Sequence, residues 1–470
     1  MDETISTPRN IETDTVGVWL FRGLIAIVAL APLPLGGNRP LPAALLALGA
    51  ALLLLPWGLN AAFGRQPVLA VPSALFRLAL VLFGLVCLWI LVQAMPLPAQ
   101  WADPAWRETG RILGEAMPGY ISVNPNETLS GLMRLLTYAA VFWISFQLCR
   151  PPERAEAAIR AAMSIGCVYA IYGLCVFLAG NEWLLIWRKW AYEGSLTSTF
   201  VNRNSYATFA GLGLLCAFSI FLGRIRHLLG LKHRRREKIA ILIEHIVTGA
   251  PWATVCVLAL TIALVLTGSR AGTVASFVAL LFLLALSLRG NTIRRSHAIL
   301  VAGMVIAVLC VALLTSGGYL SSRFARDDAL LSENDRVAAY GVAIDAIVSA
   351  PWTGTGFGTF ADVFPAYRSS EGPSGVFWNR AHSTYLENAM GLGLPAAIAL
   401  NLSILLLAAQ CLRGVFTRRR HRSFPAIGVA ATLLVGLHAT VDFSLEMPAV
   451  AIFYAFIMGA AVSQSWTSRT

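Results

Sequence analysis

Charged side chains are scarce in this sequence. Asp, Glu, Lys and Arg together make up 13% of its 470 residues, whereas hydrophobic residues make up 57%. Soluble globular domains carry about 25% charged residues and at most about half apolar ones. The apolar surplus is too large for one water-soluble core, so the composition predicts that lipid surrounds much of the chain. We therefore expect an all-α, polytopic integral membrane protein built as one helical bundle.

Several other signals are missing from the sequence. The eight cysteines fall in or at the ends of apolar stretches, which leaves no loop disulfide framework and no metal-ligand spacing. An aspartate-rich metal motif is also missing, so we expect no metal and no cofactor. Residues 1–16 are polar and net acidic and lack the basic start of a signal peptide, so no cleavage is expected. The two halves of the chain show no internal repeat.

Apolar stretches long enough to cross roughly 30 Å of hydrocarbon predict about twelve transmembrane helices. They lie near 17–35, 40–58, 73–95, 129–149, 156–179, 203–223, 250–268, 271–288, 297–315, 383–411, 425–440 and 445–464. The expected organisation is a tail at 1–16, helices 1–9 at 17–316, a large periplasmic loop at 317–382, helices 10–12 at 383–464 and a tail at 465–470. The break between the seventh and eighth apolar stretches, Thr267-Gly268-Ser269-Arg270, predicts a tight turn.

Basic residues are distributed unevenly between alternate connections. With the N-terminus inside, one set of connections holds most lysines and arginines, above all at 224–238 and 413–422, whereas the short turns of the other set hold few. This asymmetry follows the positive-inside rule and predicts that both termini are cytoplasmic. It also accounts for most of the formal net charge of +12. Attraction of the basic loops to anionic membrane lipids is favoured over nucleic-acid binding, so we expect no nucleic-acid partner.

Three segments on the predicted outer face, 96–128, 180–202 and 317–382, are too long to be simple turns. The first two are rich in aromatic residues: Trp101, Trp106, Tyr120, Trp183, Trp187, Trp190 and Tyr192. Aromatic side chains at such positions usually form a belt at the membrane interface. A platform for a sugar ring or a lipid head group is the alternative.

Arg203 and Arg270 each stand where an outer connection enters a predicted helix. Arg270 lies deep between two apolar spans. A charge at that depth costs a few kcal/mol and tends to be kept only with a partner or a function. Guanidinium groups and the free N–H groups of a helix start both bind phosphate oxygens well. The two residues together therefore predict an anion site, and a snorkelling interfacial arginine is the alternative for each.

The long segment 317–382 ends at His382, which heads a predicted helix on the outer face. An ordinary imidazole pKa near 6.5 suits a general base at neutral pH, although a structural or interfacial histidine is the alternative. Glu387 follows it by about one and a half turns and is not expected to share its face. Arg336 lies beside acidic residues and is compatible with a solvated helix face. The glycine-rich stretch at 354–358 lacks the Lys-Ser/Thr pair of a phosphate loop and indicates a turn.

His438 and Asp442 lie in the last outer turn with i, i+4 spacing. The two side chains would face each other if the helix continued through both residues. A mutually satisfied structural pair is the simpler interpretation. A role in orienting a neighbouring site is the alternative.

Five motifs in this order carry a resemblance to a known family: TFVNRNSYA, TGSRAG, APWTGTGFGTF…AYR, RAHSTYLENAMGLGLP and HATVDFSLEMPAVA. Together they resemble the O-antigen ligase/polymerase superfamily over roughly residues 195–460, and the first six or so spans are similar only in hydropathy. The resemblance implies a metal-independent glycosyltransferase of the bacterial inner membrane. Such an enzyme takes a glycan from undecaprenyl pyrophosphate on the periplasmic face and transfers it to the lipid A core, another glycan or a protein, in lipopolysaccharide or other surface polysaccharide biosynthesis.

The resemblance also implies roles for single residues. Arg203 and Arg270 would hold the donor pyrophosphate, and His382 would deprotonate the acceptor hydroxyl. Arg336 and Arg380 would assist at the phosphates, more weakly. The sequence departs from the family at the residue after the histidine, which is serine here where many relatives have asparagine, and this loosens any inference about the acceptor.

Other functions stay open. A polytopic transporter or flippase for a lipid-linked saccharide is the main alternative, although such proteins usually show internal repeats and charges near the membrane midplane. A non-catalytic scaffold for polysaccharide assembly is a further one. The motifs do not distinguish a ligase from a polymerase, and they do not identify the sugar.

Overall fold

The structure is a computed structural model that describes residues 15–33, 35–64, 73–98, 100–229, 251–288, 295–321, 333–368 and 378–466. Its helices are α1 (Thr15–Leu30), α2 (Pro40–Ala62), α3 (Ala74–Gln93), α4 (Pro104–Leu113), α5 (Pro125–Leu148), α6 (Pro152–Leu178), α7 (Arg203–Leu229), α8 (Pro251–Leu266), α9 (Arg270–Leu288), α10 (Arg295–Ser321), α11 (Glu333–Ser349), α12 (Phe360–Tyr367), α13 (Thr384–Leu392), α14 (Leu394–Thr417), α15 (Ser423–His438) and α16 (Pro448–Ser463). Two short strands, β1 (Trp183–Leu184) and β2 (Trp187–Arg188), form an antiparallel hairpin. Helices at every predicted apolar stretch confirm the all-α class.

Seven helices of the described chain are long and apolar enough to cross a membrane: α2, α3, α5, α6, α7, α9 and α14. Shorter apolar helices include α1, α8, α15 and α16. The chain is thus a multi-pass membrane protein by length and composition. The total of twelve crossings stays a prediction.

Proline and capping side chains mark where many helices begin. Proline occupies one of the first two positions of α2, α5, α6 and α16, where its missing N–H costs nothing and its fixed φ suits the helix. Asn124 caps α5 by accepting a bond from the Glu127 N–H at 3.3 Å. Ser383 caps α13 in the same way through the Leu386 N–H at 3.5 Å. These local signals explain where these helices begin.

Helix α16 is the centre of the bundle. All of its residues are buried, which is expected of a helix that is apolar on every side. It packs most extensively against α5 and also contacts α15, α6 and α7. The Phe453 ring stacks on Phe209 of α7 with 4.4 Å between centroids. Gly459 allows the closest approach, since a Cβ built there would lie 2.5 Å from the Phe142 carbonyl oxygen of α5.

The predicted span 383–411 is wrong as a single helix. The structure divides it into α13 and α14 at Gly393, whose φ is +77° and whose added Cβ would lie 2.5 Å from the Trp352 carbonyl oxygen. The break leaves the Met390 and Gly391 carbonyls able to accept bonds from the N–H groups of residues 355 and 356, both at 3.0 Å. The glycine-rich stretch is therefore a turn, as predicted, and it fills the gap between the two helices.

The three long outer segments are built into the fold. The segment 96–128 contains α4, the segment 180–202 contains the β1–β2 hairpin, and α11 and α12 lie within 317–382, into which α10 extends by a few residues. Gln93 at the end of α3, fully buried, fixes the middle of this surface. Its Nε2 donates to the Thr353 and Gly391 carbonyls at 2.7 and 2.8 Å, and its Oε1 accepts from the Phe357 N–H at 3.2 Å.

Basic side chains cap the opposite end of α16. Arg150 donates to the carbonyls of Ser463 and Trp466 at 2.8 and 3.2 Å and lies over the Trp466 ring. Arg418 donates to the Gln464 side chain at 3.0 Å. Cations at a helix C-terminus are stabilised by the helix dipole. The arginines that the sequence assigns to the inner face therefore lie at the end of the bundle opposite to Asp442 and His382.

The close contact at Gly459 predicts a stability difference between two glycines. Gly459→Ala forces a methyl group against the α5 backbone, and such overpacking costs about 1–3 kcal/mol. Gly84→Ala on α3 is the matched control, because a Cβ there meets nothing within 4 Å. In detergent, we expect the thermal midpoint to fall for Gly459→Ala and to stay level or rise slightly for Gly84→Ala. Equal midpoints for both variants would contradict the close α5–α16 packing.

Candidate functional site

Arg203 is the first residue of α7, as the sequence predicts. It is half-buried, and its Cζ lies 5.5 Å from the centroid of the Tyr192 ring, which comes from the segment of the β1–β2 hairpin. A Cβ built on Gly268 would lie 3.5 Å from Arg203 Nη1. The guanidinium therefore lies between the hairpin segment and the turn that joins α8 to α9.

The turn between α8 and α9 is tight, as predicted. Gly268 adopts a φ of +65°, Thr267 Oγ1 donates to the Leu264 carbonyl at 2.7 Å and accepts from the Ser269 N–H at 3.1 Å. Ser269 Oγ then accepts from the Gly272 N–H at 3.3 Å and caps α9. Arg270 opens α9, is exposed, and forms no ion pair with any described residue. The two arginines thus begin neighbouring helices around one turn.

His438 and Asp442 are both held by the first turns of α7. Helix α15 ends at His438, so the predicted i, i+4 arrangement on a continuous helix does not form. His438 Nδ1 instead shares a hydrogen bond with Thr208 Oγ1 at 2.7 Å. Asp442 Oδ1 accepts from Asn204 Nδ2 at 3.1 Å, and its Oδ2 accepts from the Ser444 hydroxyl. Both side chains therefore support the helix that Arg203 begins.

His382 lies two residues before α13, with Ser383 as the N-cap. It is buried, with 6% of its surface exposed, and its φ of +54° is in the left-handed region. The imidazole packs edge-on against the rings of Trp378 and Phe443, with centroids at 5.3 and 4.8 Å. Its carbonyl accepts from the Tyr340 hydroxyl of α11 at 3.1 Å. Contacts from three residues, Tyr340, Trp378 and Phe443, thus fix this residue.

Asp442 joins the segment of His382 to the helix of Arg203. The Thr384 N–H donates to the carbonyls of Asp442 and Ala439 at 3.2 and 3.1 Å, and the Thr384 hydroxyl donates to the Asp442 carbonyl at 3.3 Å. The side chain of the same aspartate binds Asn204. The structure therefore brings Arg203, His382, His438 and Asp442 together at one end of the bundle, with the Arg270 turn beside Arg203.

Arg380 belongs to a charged cluster beside this site. Its Nη1 lies 2.5 Å from Glu387 Oε1 and 3.9 Å from Glu446 Oε2. Burial acts to lower the pKa of Arg380, but the carboxylates of Glu387 and Glu446 outweigh it, so the pKa is raised and the guanidinium stays charged. Burial, and then repulsion by Glu387, raise the pKa of Glu446 from 4.5 to about 7, against the opposing effect of Arg380 and Arg134.

Glu446 and Arg134 were not predicted from sequence as part of this region, and Glu387 was considered but not expected to share a face with His382. Arg134 carried a usable signal, because it is a charge inside the predicted span 129–149. Glu446 stands just before the proline that opens α16. The remaining predicted residue, Arg336, has its backbone in α11, and its side chain is outside the described part of the chain.

A cavity of about 420 Å³ opens next to the charged cluster, between α3, α5, α14, α15 and α16. Its charged lining is Glu127, Arg134, Arg380 and Glu446, and its apolar lining includes Phe83, Phe142, Trp143, Leu407 and Met458. Thr384 also lines it, so the residues two positions before and two positions after His382 face this space. The cavity is amphipathic, with charge at the end near His382 and apolar walls deeper in the bundle.

Part of the chain matches a known protein family. Residues 255–401 match the family model described as O-antigen ligase. The match begins in α8 and ends in α14, so it includes Arg270, Arg380, His382 and Glu387. No curated protein matches the chain.

The raised pKa of Glu446 predicts how stability depends on pH. A folded-state pKa above the unfolded value means that the folded state binds the proton more tightly, so this stability is present below pH 4.5 and lost as pH rises through about 7. The thermal midpoint of Glu446→Gln relative to wild type is therefore expected to rise between pH 5 and pH 8. Glu108→Gln is the control, because Glu108 pairs with Arg111 on the exposed face of α4. The prediction would be contradicted if the midpoint difference between Glu446→Gln and wild type changed with pH as little as the difference for Glu108→Gln.

Proposed function

We propose that the protein is a membrane-embedded glycosyltransferase, because residues 255–401 match the O-antigen ligase family model. It transfers a glycan from undecaprenyl pyrophosphate to an acceptor hydroxyl on the periplasmic face of the bacterial inner membrane. The observation that carries this proposal is the Asp442 link, which joins the helix begun by Arg203 to the segment of His382. An anion-binding end and a base are thereby held in one structure.

Arg203 and Arg270 bind the donor pyrophosphate in this proposal. Each stands at the first residue of a helix, so its guanidinium is added to the free N–H groups and the positive dipole end of that helix. Guanidinium groups bind phosphate oxygens with two parallel hydrogen bonds. The exposure of Arg270 leaves its fork accessible to a phosphate, and Arg203 lies against the same turn.

His382 is the general base. Neutral imidazole takes the proton of the acceptor hydroxyl as the oxygen attacks the anomeric carbon, and the bond from that carbon to the pyrophosphate oxygen breaks. Undecaprenyl pyrophosphate then leaves with the electron pair, and in-line attack inverts the anomeric centre. The two arginines stabilise the negative charge that develops on the leaving group. The arginines supply this stabilisation without a metal, so the proposed reaction is metal-independent.

Arg380 and Arg336 have lesser roles in the proposal. The ion pair between Arg380 and Glu387 favours a structural function for Arg380 over donor binding. Arg336 is assigned to the phosphates by resemblance alone. His438 and Asp442 orient the site through their bonds to α7. The proposed topology keeps both termini cytoplasmic, with the basic end at Arg150 and Arg418 facing the cytoplasm.

A flippase for a lipid-linked saccharide is the second candidate. The cavity of about 420 Å³ favours it, because charged residues at one end and apolar walls deeper in would suit a polar head on a lipid chain. A flippase needs no general base. The two functions therefore differ in what the loss of His382 does.

Complementation of a deletion strain tests the proposal, with surface glycans compared on gels and protein amounts matched by immunoblot. We expect wild type to restore long glycan. The amount of glycan made with His382→Ala should fall about 100-fold or more, because a general base usually contributes that much to the rate. The amount of glycan made with Arg270→Lys should fall about 10-fold, because lysine keeps the charge but cannot make the paired hydrogen bonds of a guanidinium group. Arg188→Lys, on the exposed hairpin, is the matched control and should restore fully.

The residual product identifies the reaction. Single repeat units on the lipid A core indicate a lost polymerase, and a bare core indicates a lost ligase. Full restoration by both His382→Ala and Arg270→Lys would contradict the proposed site and favour a flippase or a scaffold.

A further inference from the structure

Glu387 uses both carboxylate oxygens on the two residues that precede His382. Its Oε1 lies 2.5 Å from Arg380 Nη1, and its Oε2 accepts a hydrogen bond from the Ala381 N–H at 3.2 Å. The Glu387 N–H donates to the Ser383 carbonyl at 3.0 Å. The Glu387 carboxylate therefore contacts the two residues before His382, whereas the Glu387 backbone N–H makes the ordinary helical bond to the residue after His382.

The environment of Glu387 favours a fixed carboxylate. Its side chain is 4% exposed and that of Arg380 is 15% exposed, so water competes little for either group. Glu387 also lies in the first turn of α13, where the helix dipole stabilises a negative charge. Charge-assisted hydrogen bonds in such surroundings are short and directional.

His382 needs such support because of its backbone conformation. A non-glycine residue with a φ of +54° is sterically strained, because its Cβ crowds the following carbonyl oxygen. Strained residues keep their conformation only when surrounding contacts over-determine it. Tyr340, Trp378 and Phe443 hold the carbonyl and the ring of His382, and the Glu387 carboxylate holds the Ala381 backbone just before it.

Neutralisation of Arg380 alone does not explain this arrangement. Glu446 is already a second carboxylate partner of Arg380, at 3.9 Å. A neutralising role would also leave the bond from Glu387 Oε2 to the Ala381 backbone without a purpose. That bond acts on the position of the main chain, and the residue after Ala381 is His382.

We propose that Glu387 is a positioning residue that holds His382 against the acceptor hydroxyl by a clamp on the Ala381 backbone and the Arg380 side chain. The inference rests on the proposed function, in which His382 is the general base. A base displaced by about 1 Å loses about 100-fold in rate, so the clamp has a measurable effect on catalysis. The donor site at Arg203 and Arg270 is made by other elements, and loss of the clamp should leave it unchanged.

Two variants separate the clamp from simple charge neutralisation. Glu387→Asp keeps the charge but is one methylene shorter, so it does not reach both Arg380 and Ala381. Glu387→Gln keeps the length and an oxygen for the Ala381 N–H but loses the charge. Positioning predicts the larger loss for Asp, about 100-fold, and a smaller loss for Gln, about 10-fold. Neutralisation predicts the reverse order, with Asp close to wild type.

The assay uses the purified full-length chain added to membranes of the deletion strain, which supply both donor and acceptor. Initial rates are measured against increasing amounts of a lipid extract from that strain. We expect a lower maximum rate for both variants, with the apparent KM for the extract within about two-fold of wild type. Glu156→Gln is the matched control, since its pair with Arg160 is also 2.5 Å but exposed. Monodisperse elution in size-exclusion chromatography is required of every variant compared.

Each outcome decides something different. A wild-type rate for Glu387→Asp, or a larger loss for Gln than for Asp, overturns the positioning role. Should the Asp variant fail to fold, the near-isosteric Gln variant still decides, because a wild-type maximum rate or a raised KM would contradict the clamp. His382→Ala is measured in parallel. An active His382→Ala overturns the proposed function itself, whereas an inactive one beside an unaffected Glu387→Asp overturns this inference alone.

Discussion

The outer end of the bundle depends on the buried carboxylate and carbonyl of Asp442. The side chain, with no exposed surface, accepts from Asn204 of α7 and from Ser444, while the backbone carbonyl accepts twice from Thr384 of α13. A buried charge left without such bonds would cost several kcal/mol, so the groups around it are strongly constrained. Because these partners lie beside Arg203 and His382, one residue sets the relation between the proposed anion-binding end and the proposed base.

Charge is concentrated where the backbone gives it a partner. Arg203 and Arg270 stand at helix starts, Glu387 lies in the first turn of α13, and Arg150 and Arg418 lie at the C-terminal end of α16. A bundle with lipid as its solvent has few other places for ions, since water is excluded from the spans. The apolar majority of the sequence thus restricts chemistry to the helix ends, and the breaks in the helices create those ends.

Much of this arrangement could be predicted from sequence, and the misses share a cause. Apolar length predicted where the helices lie, and the motifs around Arg203 and Arg270 predicted helix starts, because a charge that interrupts an apolar run is a local signal. The break at Gly393 left no such signal, since its neighbours are apolar and the reason for the break is the 351–356 segment that fills it. Glu387 was missed because His382 precedes the helix, so helical spacing does not describe their relation.

The central claim is a division of labour, in which the arginines bind the donor and His382 acts on the acceptor. Equilibrium binding of undecaprenyl pyrophosphate to the full-length protein in lipid nanodiscs tests this most directly. The account predicts that a variant with both Arg203→Ala and Arg270→Ala loses affinity by about 100-fold or more, a typical effect of losing two charge-assisted contacts, whereas His382→Ala binds as wild type does. Unchanged binding by the double arginine variant, or an equal loss with His382→Ala, would contradict the account.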